Sequence, residues 1–153
     1  MKTYQATLLA TTLCISALGL AEEKAISRSD LPPAVEKTLQ QQLKGATVKG
    51  FSAEKENGRV VYEAQLLVNG HTKDILLDAS GTIQEVEEEV AFDSLPIEVK
   101  ASLRARAKNG KITKVESLIK QDKLVAYEAQ VEKNGKQSEI QVGPKGERLM
   151  REV

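Results

Sequence analysis

The sequence predicts an α+β protein made of two tandem repeats, each a helix packed on an antiparallel β-meander of about four strands. Three observations carry that expectation. Leu31-Pro32 returns as Leu95-Pro96, and Tyr62-Glu63-Ala64-Gln65 returns as Tyr127-Glu128-Ala129-Gln130. In each half an apolar stripe at helical spacing then gives way to the alternation of a strand. Leu31, Val35, Leu39 and Val48 match Leu95, Val99, Leu103 and Ile112 at an offset of 64, whereas Tyr62, Asn69-Gly70, Ile75 and Gly81 match Tyr127, Asn134-Gly135, Ile140 and Gly146 at 65. One residue was therefore gained between Val115 and Tyr127, and the expected place for it is the turn near Gln121-Asp122, where an insertion costs little.

The first 21 residues read as a signal peptide. Lys2 opens it, an uncharged and largely apolar stretch runs from Ala6 to Leu20, and Gly19-Leu20-Ala21 offers the small residues a signal peptidase requires. The stretch is shorter than the roughly 18 to 20 apolar residues that span a bilayer. Residues 22–30 are expected to be a linker, 31–90 the first repeat and 91–153 the second.

Asp30-Leu31-Pro32-Pro33 and Ser94-Leu95-Pro96 each place a capping residue ahead of proline in the first helical turn, where the missing N–H would have no partner anyway. Val35, Leu39 and Leu43 form the buried stripe of the first helix. Val99, Leu103 and Ala107 form that of the second. Gly45 and Gly110 are expected to end the two helices. Strands are predicted over residues 47–54, 59–68, 72–78 and 82–88, and again over 111–120, 123–132, 136–142 and 147–153. Asn69-Gly70 and Asn134-Gly135 suit two-residue hairpins with positive φ, while Gly81 and Gly146 suit the next reversal. Alternation then places Tyr62, Ala64, Leu66 and Val68, with Tyr127, Ala129 and Val131, on the helix-covered face.

Composition excludes several function classes. The single cysteine, Cys14, lies in the leader, so the chain beyond it has no disulfide, thiolate metal site or cysteine nucleophile. Lipid anchoring at Cys14 is not expected, because Thr12-Leu13 replaces the small residue that lipoprotein processing requires. Removing the leader takes away Lys2 and no acid, leaving 21 basic against 22 acidic residues. That balance gives no long-range field toward nucleic acid or an anionic membrane.

On the Leu-Pro openings with valine four residues after leucine, the Tyr-Glu-Ala strands and the Asp78-Ala79-Ser80-Gly81 turn, the chain from Leu31 to Val153 resembles the PepSY-like domains of secreted bacterial proteins. Their two-repeat members are similar to the β-lactamase-inhibitor-protein fold. The resemblance implies an extracytoplasmic, periplasmic or secreted module that binds protein, with inhibition or regulation of an envelope or secreted enzyme such as a peptidase as its implied mode. Two departures bear on the inhibitory mode, since inhibitors of this fold use an aromatic-rich sheet and disulfides: only Phe51, Tyr62, Phe92 and Tyr127 are aromatic beyond the leader, and no cysteine remains there, whereas tight interfaces centre on aromatic or arginine anchors. The second copy also has Gly143-Pro144-Lys145-Gly146 in place of the aspartate turn.

No catalytic constellation is expected, and neither a cofactor nor a metal. His71, the only histidine, reads as a solvent-facing hairpin residue, since a base or metal pair with Asp74 would need further convergent ligands. Glu85, Glu87, Glu88 and Glu89 read as a solvated strand end; a divalent-cation or small-ligand site there is the alternative function. Lys111, Lys114, Lys120 and Lys123 read as a solvated surface. Glu63 and Glu128 are paired by the duplication, but glycosidase chemistry also needs a sugar cleft that aromatics usually line. The expected activity is therefore non-catalytic binding of an envelope or secreted protein through the exposed sheet face. Its expected contact residues are Glu63, Gln65, Leu67, Glu128, Gln130 and Glu132.

Overall fold

The computed structural model describes residues 23–56, 58–150 and 153; the predicted signal peptide lies outside them. Eight strands form one antiparallel sheet in sequence order: β1 Lys24–Ile26, β2 Ala46–Glu56, β3 Arg59–Val68, β4 His71–Asp78, β5 Ile83–Glu89, β6 Lys111–Lys120, β7 Lys123–Lys133 and β8 Lys136–Val142. Helix α1, Pro33–Gln42, enters between β1 and β2, and helix α2, Ile97–Ala107, between β5 and β6. Each helix is preceded by a short 3-10 turn, Arg28–Asp30 or Phe92–Ser94.

This corrects the expected pair of helix-plus-meander repeats. The chain leaves α2 antiparallel to β5, and Glu85 to Glu89 pair with Lys120 to Glu116, so the ladder runs unbroken through the join. The physical reason is edge satisfaction: two separate meanders would each leave a row of unpaired backbone groups at the junction. The expected fourth strand over 147–153 is not formed by residues 147–150, where the Gly143 N–H instead donates to the Glu147 carbonyl at 2.8 Å to close a turn. The expected linker contributes a strand, as Lys24, Ala25 and Ile26 pair with Ala53, Ser52 and Phe51.

Local expectations fare differently from one another. Val68 pairs with His71 and Lys133 with Lys136, leaving the two Asn-Gly pairs as tight hairpin turns with asparagine φ of 52° and 53°. Gly110 does not end α2: Lys108 and Asn109 take left-handed φ of 48° and 67° themselves. Asp30 does not cap α1 either. Its carboxylate accepts from the Ser27 N–H at 3.0 Å, which caps the preceding 3-10 turn, and α1 starts at Pro33 without a side-chain cap. The Gln121-Asp122 turn is an ordinary two-residue hairpin. The extra residue sits in β7, where Leu118 pairs with Ala126 and Ile119 with Leu124, so Val125 bulges out.

Both helices lie on one face of the sheet. Val35 and Leu39 of α1 are fully buried against Ala64, Leu66, Ile75 and Leu77, with Tyr62 packed at the side. Val99 and Leu103 of α2 are buried against Val115, Ala129 and Val142, with Tyr127 beside them. Burying each such leucine or valine is worth roughly 1.5–3 kcal/mol. The turns after β4 and β8 lock the helices in place. At Gly81, with φ of +79°, a Cβ would lie 2.4 Å from the Ala34 carbonyl oxygen of α1. The Thr38 hydroxyl donates to the Gly81 carbonyl at 2.8 Å across the same contact.

Candidate interaction face

With both helices on one side, the other side of the sheet presents the alternate residues of every strand. Pairing register assembles them into rows. One row runs from Ser52 through Glu63, Leu76 and Glu85 to Lys120; another runs from Gln65 through Asp74 and Glu87 to Leu118; a third joins Glu89, Glu116, Glu128 and Gln141. The face is thus acidic at its centre, although the chain as a whole is balanced.

The six expected contact residues share this face and fall into two groups. Glu63, Gln65 and Leu67 stand on β3, and Glu128, Gln130 and Glu132 on β7, with three strands between. At about 4.8 Å per strand the groups are about 19 Å apart. They differ in exposure. Glu132 is open to solvent; Glu63, Gln65, Leu67 and Gln130 are half-buried; Glu128 is buried and accepts from the Gln141 side-chain amide at 2.7 Å. The Ser52 hydroxyl and the Gln65 amide both donate to Glu63 Oε2, at 2.8 and 3.2 Å. Reading Glu128 as exposed was an error of local pattern, because neighbouring strands of a twisted sheet shade each other's side chains.

The space between the two groups holds what sequence reading missed. Asp74 of β4, Glu87 of β5 and Glu116 of β6 bring one carboxylate oxygen each within 4.8 Å of one another. Glu116 is 1 % exposed, and Lys114 Nζ approaches its Oε1 at 2.5 Å as an ion pair without hydrogen-bond alignment. Lys120 pairs with Glu85 at 3.0 Å. Burial first, then the charges of Glu85, Glu116, Glu128 and Asp74, push Glu87 up to about 9. Asp74 rises to about 6, mainly by burial and against the pull of Lys114. Glu63 rises to about 7, again by burial first, although the Ser52 bond opposes it. The acidic run is therefore no solvated strand end: Glu85 and Glu87 stand in the middle of the sheet. Its alternation with Val86 was the available signal, since every second glutamate must share a face.

The remaining sequence candidates sit apart from this centre. His71 is exposed on its hairpin, its Nδ1 3.7 Å from Glu89 Oε1, and Glu89 Oε2 accepts from the Thr72 N–H at 3.0 Å. Glu88 points to the helix side and pairs with Lys73 at 3.2 Å. A shallow groove of about 510 Å³ opens beside α2 between Phe92, Arg104 and Ile112, with the Arg104 guanidinium 4.9 Å from the Phe92 ring centre. It contains none of the face residues.

A long, uninterrupted antiparallel sheet with two helices on one side and an open face on the other is a β-lactamase-inhibitor-protein-like architecture, and solved structures share it. A protein of Bacteroides eggerthii provisionally described as periplasmic superposes with a TM-score of 0.62 at 19 % identity, over 76 % of this chain and 84 % of that one. A DUF2874 family protein of Bacteroides ovatus gives 0.60 at 20 % identity, over 80 % and 86 %. A BLIP-like protein of Bacteroides fragilis gives 0.56 at 22 % identity, over 76 % and 81 %. At these identities the likeness shows the fold. No protein-family model matches the sequence, and no curated protein matches it. Among the described residues, no helix is long and apolar enough to cross a membrane.

Proposed function

We propose that this chain is an exported, non-catalytic binding module that docks a protein of the envelope or the surrounding medium on its open sheet face. The observation that carries the reading is the face itself: both helices cover one side of the sheet, and acidic residues line the centre of the other. Export rests on the leader over residues 1–21 and agrees with the provisional periplasmic description of the Bacteroides eggerthii structure. Inhibition or regulation of an envelope or secreted enzyme such as a peptidase is the mode that the resemblance of residues 31–153 to PepSY-like domains suggests; the BLIP-like structure supports the fold.

The test is a three-bait comparison in an envelope extract: the wild-type chain, Gln65→Arg/Glu132→Arg on the face, and Gln41→Arg on α1 as control. A protein retained by the wild type and the control but lost by the face variant supports docking there. Proteins retained equally by all three sink it. The runner-up reading, a divalent-cation binder, draws on the spacing of Asp74, Glu87 and Glu116. Calorimetry with calcium chloride that saturates at one ion per chain, and is flat in Glu87→Gln, would replace docking with that reading.

A further inference from the structure

The geometry points to a small-molecule carboxylate site in the groove beside α2, one that takes an organic monocarboxylate with an apolar, ring-sized body. The groove lies on the helix side of the sheet and shares no residue with the open face, so either site can hold without the other.

At about 510 Å³ the groove has the size of an ordinary small-molecule site, roughly 300–1,000 Å³. Phe92 and Ile112, both half-buried, supply its apolar wall, and Asn109 and Gly110, between α2 and β6, add an amide and open backbone. The Arg104 guanidinium lies 4.9 Å from the Phe92 ring centre. A cation–π contact positions a guanidinium without satisfying its N–H donors. Among the described residues, no carboxylate or carbonyl oxygen takes those of Arg104.

The other helix shows what this flank can hold. Residues 28–43 correspond to 92–107 at a constant offset of 64, and each stretch opens on a 3-10 turn, Arg28–Asp30 or Phe92–Ser94, ahead of its helix. On α1 the flank is centred on a carboxylate. Arg28 Nε and Nη2 donate to the two Glu36 oxygens at 3.0 and 2.6 Å, and the Gln40 amide donates to Glu36 Oε1 at 3.4 Å. Phe92, Lys100 and Arg104 stand at the corresponding places beside α2. There a ring replaces the guanidinium, an ammonium the carboxylate and a guanidinium the amide. Lys100 Nζ donates to the Asp93 carbonyl at 3.0 Å, which holds its charge at the rim, one helical turn before Arg104. Asp93 is the acid among the lining residues, so two cations stand against one carboxylate. Arginine takes a carboxylate through two parallel N–H bonds. A ligand carboxylate therefore supplies what Glu36 supplies on α1, while its apolar body lies against Phe92 and Ile112.

The test titrates phenylacetate, up to about 10 mM, into the isotope-labelled protein at neutral pH and follows the backbone amide NMR signals. Saturable shifts centred on Phe92, Asn109, Gly110 and Ile112 are expected. Phenylacetamide, the same body without the charge, is expected to bind at least about tenfold more weakly. Two variants complete the comparison. Arg104→Gln removes the guanidinium, and Lys100→Glu restores the acid that α1 carries, placed to pair with Arg104 one turn on. Each is expected to keep the wild-type spectrum away from the groove and to weaken phenylacetate binding at least about tenfold. Absent shifts at the highest concentration, shifts centred elsewhere, equal binding of acid and amide, or an unchanged Kd in either variant overturn the inference. The comparison of acid with amide on the wild type needs no variant, so it decides even where a substitution disturbs the fold.

Discussion

Single residues decide how closely the helices approach the sheet. Gly81 combines a left-handed φ of +79° with a backbone oxygen 2.4 Å from where a Cβ would stand, whereas Gly70, at φ of +87°, faces open space. Gly81→Ala must strain the turn and push α1 outward together, with an expected cost of about 2–4 kcal/mol, while Gly70→Ala bears only the backbone strain of about 1–2 kcal/mol. Urea unfolding of the pair measures the difference, and equal losses would mean that the helix contact at Gly81 is slack. A smaller effect of opposite sign belongs to Lys108. Its φ of 48° is unfavourable for a side-chain-bearing residue, and its Lys133 contact uses the carbonyl and not the side chain. Lys108→Gly is expected to stabilise by about 0.5–1 kcal/mol on the same urea assay.

At the scale of elements, what could be read from the sequence divides along the range of the interaction. Hairpins are local: Asn69-Gly70 and Asn134-Gly135 announce their turns because only certain residues accept positive φ, and they sit where expected. Helix stripes are nearly as local, since Val35 and Leu39, or Val99 and Leu103, need only a period and a surface to lie on. Helix ends were harder to read. Gly110 looked like a terminator, yet Lys108 and Asn109 absorb the left-handed turn because the chain must bend before it can enter β6. Strand β1 was harder still: Lys24-Ala25-Ile26 has no alternation long enough to register and exists because Phe51 to Ala53 of β2 offer it a partner. The face parity of Glu63 and Glu128 was legible from alternation alone. That Asp74, Glu87 and Glu116 meet was not, because it depends on the order of three strands and on the junction between β5 and β6.

For the whole molecule, the continuous ladder predicts shared fate. α1 and α2 cover separate apolar clusters, but the β5–β6 pairing ties the strands beneath them into one sheet. Leu39→Ala and Leu103→Ala, each removing a fully buried side chain, are expected to cost about 2–5 kcal/mol apiece. Each should lower one common calorimetric transition. Two resolved transitions, with each substitution moving only its own, would show that the junction transmits little.

The tyrosines that pack beside the two clusters have a practical consequence. Beyond the leader the chain contains no tryptophan, and Tyr62 and Tyr127 are its only phenols. One stands in each half, partly buried against its own helix-covered cluster. Native emission therefore comes from two chromophores at known addresses, and silencing either with phenylalanine leaves the other to report its side of the sheet without a dye or an introduced label.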